Sequence, residues 1–118
     1  MKFNSLDEAV AVFIDSAIIQ DNSSKTGDYK TGNKAEDKIR ASLKYIWQNN
    51  PYFISNLLDH ENGNVRNWTA MFWLSVNEEQ ALKVLEDIAN SKTFYAMEAK
   101  YCIIEWKKGN LTSDQWER

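Results

Sequence analysis

The sequence has one cysteine, one histidine and one proline. A lone cysteine excludes an internal disulfide, and with a lone histidine it leaves no ligand set for a conventional zinc site. Four glycines and one proline are too few for the tight turns of a β-sandwich. No apolar run is long enough to cross a bilayer. The stretch Ala9–Ile19 is apolar, but Asp15 and Ser16 interrupt it. Acidic residues follow Met1-Lys2-Phe3, where a signal peptide needs an apolar segment, so the expected location is cytoplasmic with no membrane partner. The formal charge of -3 is too small to mark a general nucleic-acid or anionic-membrane binder.

What is present suits one compact domain over residues 1–118. Hydrophobic types make up 43% of the chain and charged types 26%, enough apolar surface for a real core. Apolar residues recur at helical spacing throughout, and no strand-like alternation competes with them. Leu6, Ala9, Val10, Phe13, Ile14 and Ala17 form one stripe, opened by Ser5 with Glu8 as a capping pair. From Asp21 to Gly32 the composition turns to Asn, Ser, Lys, Thr, Gly and Asp, which predicts a flexible loop over 21–32. A second helix is expected over about Asn33–Gln48. A short helix then opens at Asn50-Pro51, and others cover Val65–Leu74, Gln80–Ile88 and Phe94–Lys108, with a terminal turn over Thr112–Trp116. The expected class is all-α.

Leu57-Leu58, the turn Asp59–Asn64, and then Val65-Arg66-Asn67-Trp68-Thr69-Ala70 resemble a HEAT-type repeat. In such repeats leucines close one helix and Val-Arg opens the next, which implies a stack of antiparallel helix pairs, an α-α superhelix. Taken with Asn33-Lys34, Glu79–Leu85, Glu98-Ala99 and Glu105–Gly109, the pattern resembles the bacterial DUF2019 family over about residues 5–110. That family is HEAT-like, with a biochemical function largely undefined. The resemblance implies a helical-repeat protein, and among its uses a role as an immunity protein beside a secreted toxin.

Chemistry is sparse. His60 lies between Asp59 and Glu61 in a turn, where a solvated turn residue is the simpler reading than a metal ligand or acid–base partner. Cys102 sits among Tyr101, Ile103 and Ile104, a packing position with no nucleophile motif around it. The pairs Asp7/Glu8, Glu78/Glu79 and Glu86/Asp87 are adjacent and do not share a helical face. The glycines match no phosphate-binding spacing. Neither catalysis nor a cofactor is expected, and no metal.

Three non-catalytic readings are left. Five tryptophans and five tyrosines offer anchors for a protein partner, a toxin in the most concrete version. The expected contact residues are Tyr29, Asp59, His60, Glu61, Trp68 and Trp73. Alternatively, Lys25, Lys30, Lys34, Lys38, Arg40 and Lys44 form a strip for nucleic acid, diluted by Asp28, Glu36 and Asp37. A structural or dimer-forming protein also fits the composition.

Overall fold

A computed structural model describes residues 2–117. Among these there are seven helical segments and no strand. α1 spans Leu6–Thr26 and α2 spans Tyr29–Asn49. A 3-10 segment, Pro51–Asp59, follows, kinked at Ile54, whose φ of -105° and ψ of 15° leave the helical region. α3 covers Gly63–Trp73, α4 Glu78–Ala89, α5 Ala96–Lys107 and α6 Asp114–Glu117. The molecule measures 37 × 33 × 25 Å.

The expected loop over 21–32 is helix except for Gly27 and Asp28. Polar composition misleads here because the side chains satisfy helical geometry. Ser23 Oγ donates to the Ile19 carbonyl at 2.8 Å and Thr26 Oγ1 to the Asn22 carbonyl at 3.1 Å, so neither hydroxyl competes with the backbone for another conformation. Lys25 pairs with Asp21 one turn earlier at 3.2 Å. Asp21 and Ser23 are themselves buried. Gly27 then stops α1 in the left-handed region, φ 80°, with its amide bonded to the Ser23 carbonyl. Asp28 opens α2 by accepting from the Thr31 amide at 3.2 Å and the Thr31 hydroxyl at 2.7 Å. The two-residue break makes α1 and α2 a helical hairpin, the most extensive packing between elements in the molecule.

Capping elsewhere is half as the sequence reads. Ser5 Oγ accepts from the Glu8 amide at 3.1 Å, but the Glu8 carboxylate bonds Asn4 instead of returning to Ser5. Asn77 Oδ1 accepts from the Gln80 amide at 3.1 Å, and Gln80 turns its own oxygen to Trp73 Nε1 at 2.8 Å. Asn62 opens α3 by accepting from both the Asn64 and Val65 amides at 2.9 and 3.1 Å.

A single apolar cluster runs through the structure, from Ala9, Phe13 and Ala17 of α1 to Ala99 and Cys102 of α5. α2 adds Ile39, Leu43 and Ile46; α3 adds Val65, Trp68, Phe72 and Trp73; α4 adds Ala81, Leu85 and Ile88. α6 has only four residues, too few to persist alone. It is held by Trp116, fully buried against Phe72 with ring centroids 5.4 Å apart, and α6 packs on α2.

Trp116→Ala is expected to cost about 3–5 kcal/mol by emptying that position. Gly27→Ala, which forces a left-handed φ on a side chain that meets nothing, is expected to cost about 1 kcal/mol. Urea unfolding followed by circular dichroism measures both.

Candidate functional site

A cleft of about 570 Å³ is walled by α1, α2, α3, α5 and the residues around α6. That volume lies within the range of about 300–1,000 Å³ usual for small-molecule sites. Its apolar surfaces come from Trp68 and Met71 of α3, Cys102 of α5 and Leu111.

Four polar side chains close a ring along one wall. Trp68 Nε1 donates to Gln20 Oε1 at 2.8 Å, and Gln20 Nε2 donates to Glu36 Oε1 at 3.5 Å. Arg40 Nε donates to Glu36 Oε2 at 3.3 Å. The Arg40 guanidinium lies over the Trp68 ring, 5.1 Å from its centroid, which returns the ring to its start. Helical spacing explains the arrangement on α2, since Glu36 and Arg40 lie one turn apart on one face. On α1, Gln20 follows Ala17 by nearly one turn, and Asn64 of α3 donates to both, at 2.7 Å to the Ala17 carbonyl and 2.9 Å to Gln20 Oε1.

α5 and the turn before it supply a further part of the lining. Glu98 accepts from Asn67 Nδ2 at 3.4 Å. Burial and the neighbouring charge of Glu36, in that order, push the Glu98 carboxyl above the ordinary glutamate value. Burial alone raises the Cys102 thiol to about 11, so at neutral pH it is a protonated packing group rather than a nucleophile. Three residues of the lining each keep one buried polar atom without a partner: Asn67 Oδ1, the Tyr95 hydroxyl and Gln115 Nε2. Tyr95 packs its ring against Gly63, where a Cβ would approach the ring edge to 2.9 Å. That contact fixes the tyrosine in the wall and requires glycine.

The six residues expected at a contact surface do not come together. Trp68 is buried in the cleft wall, with Arg40 over its ring and its N–H bonded to Gln20. Trp73 is buried elsewhere, against Tyr52 and bonded to Gln80. Five positions turn an α-helix by more than a full circle, yet both indoles find cover because α3 has neighbours on several sides. Neither tryptophan is an exposed anchor, a correction to the sequence reading. Tyr29 is 78% exposed at the start of α2. Asp59 and Glu61 are exposed, and Asp59 lines a separate depression with Arg66 and Asp87. His60 is a half-buried turn residue: its Nδ1 accepts from the Asn62 amide at 3.0 Å and its carbonyl from Arg66 Nη1 at 2.8 Å. Neither His60 nor any second nucleophile partner for Cys102 lines the cleft.

The basic strip divides. Lys25 pairs with Asp21, and Arg40 turns to Glu36 and Trp68. Lys30, Lys34 and Lys38 are exposed on one side of α2, and Lys44 is half-buried, with Asp37 between them at helical spacing. Among the described residues no group of three or more His, Cys, Asp or Glu side chains can hold a metal ion, and no helix is long and apolar enough to cross a membrane.

One feature escapes the sequence reading altogether. Met97, Tyr101 and Ile104 are 74%, 65% and 50% exposed and follow one another at helical spacing along the outside of α5, and Phe94, 57% exposed, stands in the turn before it. The signal was available: α5 has a second apolar stripe, offset from the inner one formed by Ala99, Cys102, Ile103 and Trp106. The polar cleft residues Gln20, Asn67, Glu98 and Gln115 gave no such signal, because they are scattered over four parts of the chain. No family model, curated protein or solved structure matches the chain, and the resemblance to the DUF2019 family rests on the residues quoted above.

Glu98→Gln tests the electrostatics of the cleft. The amide still accepts from Asn67, while the repulsion from Glu36 goes. A carboxyl whose pKa is raised by folding destabilises the protein above that raised pKa, and the cost disappears where it is protonated in both folded and unfolded states. The variant is therefore expected to melt higher at pH 7, by less than about 1 kcal/mol for so wet a group, with no difference at acidic pH. Thermal unfolding across pH measures this. Alkylation of Cys102 by iodoacetamide at neutral pH is expected to be far slower than that of a free thiol.

Proposed function

We propose that this chain is a non-catalytic protein-binding domain, built as a HEAT-like stack of helix pairs, that meets its partner through the outer side of α5. The observation that carries the reading is the exposed stripe Met97, Tyr101 and Ile104 of α5, continued by Phe94 in the turn before it. A helix that is apolar on both sides is expected where one side awaits cover, and contiguous exposed apolar residues mark interaction surfaces. Aromatic and methionine side chains at its centre suit such a contact because they bury much area in few residues. Consecutive packing of the 3-10 segment on α3, α3 on α4 and α4 on α5 is compatible with a helical stack that leaves its last helix with an open side. Tyr29 remains available to a second contact region. In the most concrete version, suggested by the family resemblance alone, the partner is a toxin and the domain an immunity protein that occludes it.

The test is affinity capture from the native cells with wild type and with Met97→Glu/Tyr101→Glu. The paired change is expected to alter stability by no more than about 0.5 kcal/mol per site, since both side chains are exposed. A single stoichiometric protein should be retained at high salt by the wild type and lost by the variant. Retention by both sinks the α5 assignment. Recovery of nucleic acid alone, released by salt and by Lys30→Gln/Lys34→Gln/Lys38→Gln, moves the function to the α2 lysines.

A further inference from the structure

We propose that, given the reading of α5 as an interaction surface, its outer side docks on the same side of α5 in a second copy of this chain, the two helices running parallel about a two-fold axis.

The exposed stripe has the spacing of a helix-pair seam. Phe94, Met97, Tyr101 and Ile104 follow one another by three, four and three residues, the alternation that keeps one apolar seam facing another. Ala99 and Cys102 turn to the core, on the other side of α5. The edges of the seam carry opposite charges. Glu98 and Glu105 stand along one flank, seven residues apart, and Lys100 and Lys107 stand along the other at the same interval. Glu98, Lys100 and Lys107 are exposed, and Glu105 is half-buried. Among the described residues none of the four belongs to an ion pair within the chain.

Charge complementarity selects the occupant. A two-fold axis parallel to the helices sets the acidic flank of one copy beside the basic flank of the other. Lys100 then meets Glu105 of the second copy, and symmetry makes the pair twice. An antiparallel arrangement brings like flanks together, Lys100 near Lys107 and Glu98 near Glu105, and is repelled. Glu105 keeps its hydrogen bond from Asn110 Nδ2, because a carboxylate accepts more than one donor. Lys108 takes the next seam position just past the end of α5, where its long stem carries the charge out to water. A partner of another sequence needs its own seam with the same two edges, whereas a second copy has them already. The four seam side chains, each half exposed or more, offer on the order of 500 Å² per copy. That is less than the roughly 800 Å² per partner of a standard stable interface, so the dimer is weak and reversible.

The experiment is sedimentation velocity of the intact protein at low salt, from about 1 μM to about 1 mM, a range that brackets a weak contact. Wild type is expected to pass from monomer to dimer with Kd on the order of 100 μM. Met97→Glu/Tyr101→Glu is expected to stay monomeric throughout. Lys100→Glu and Glu105→Lys, made singly, set like charges opposite each other and should each weaken association about tenfold, equivalent to about 1.4 kcal/mol. Made together, Lys100→Glu/Glu105→Lys should restore the wild-type affinity. Structural damage does not predict that recovery, and circular dichroism of each variant reports its fold. A wild type that is monomeric at every concentration overturns the second copy as occupant. So does a dimer indifferent to Met97→Glu/Tyr101→Glu, or a double exchange no tighter than the single ones. The reading of α5 as an interaction surface fails separately: a chain that stays monomeric, yet captures a different protein that Met97→Glu/Tyr101→Glu loses, keeps that reading and overturns only the second copy.

Discussion

Gln20 is the joint on which the arrangement of the first three α-helices depends. Its side-chain oxygen accepts from Asn64 at 2.9 Å and from the Trp68 indole at 2.8 Å, and its amide reaches Glu36. One side chain of α1 therefore sets the approach of α3 and touches α2. The geometry is demanding because both donors from α3 are buried, and a buried donor without an acceptor costs more than a hydrogen bond usually gains. Asn64 doubles the link through the Ala17 carbonyl. Trp68, on the same helix, is bonded to Gln20 and has Arg40 over its ring.

The same joint separates two surfaces with different chemistry. Inside the cleft, charge and hydrogen bonding dominate: two glutamates, an arginine spent on an indole, and wall residues with unpartnered polar atoms. Outside, along α5, the surface is apolar and exposed. Met97 and Tyr101 belong to both, since they border the cleft and stand in the outer stripe. A protein laid along α5 would therefore cover part of the mouth of the cleft.

The segment 21–32 shows how composition and conformation part company. Asn, Ser, Thr, Gly and Asp favour turns because their short polar groups compete for nearby backbone atoms. In α1 those same groups bond to carbonyls one turn earlier within the helix, and Asp21 gains both Lys25 and burial beneath the start of α3. Only Gly27, with its positive φ, and Asp28, whose carboxylate caps α2, behave as composition suggests. Elsewhere bonds within the helix, with the burial of Asp21 and Ser23, overrode the preference for a turn. Trp68 and Trp73, expected at a contact surface, are likewise both covered, because α3 is packed from several directions.

By itself the sequence determined the all-α class, the inward stripes and most of the helix starts. These follow from the spacing of apolar residues and from caps that bond within three positions, and short-range physics needs no knowledge of the rest of the fold. It also determined that Cys102 packs and that the acidic pairs Asp7/Glu8 and Glu78/Glu79 stand in opening turns. Only the tertiary structure decided which polar groups meet. Gln20, Glu36, Asn67, Glu98 and Gln115 are separated along the chain by most of its length, and nothing local marks them as neighbours. Only the fold, too, could bury Trp68 and Trp73 while leaving Met97 and Tyr101 outside. Periodicity shows that a helix has an apolar side; how many sides find cover depends on the elements that pack against it.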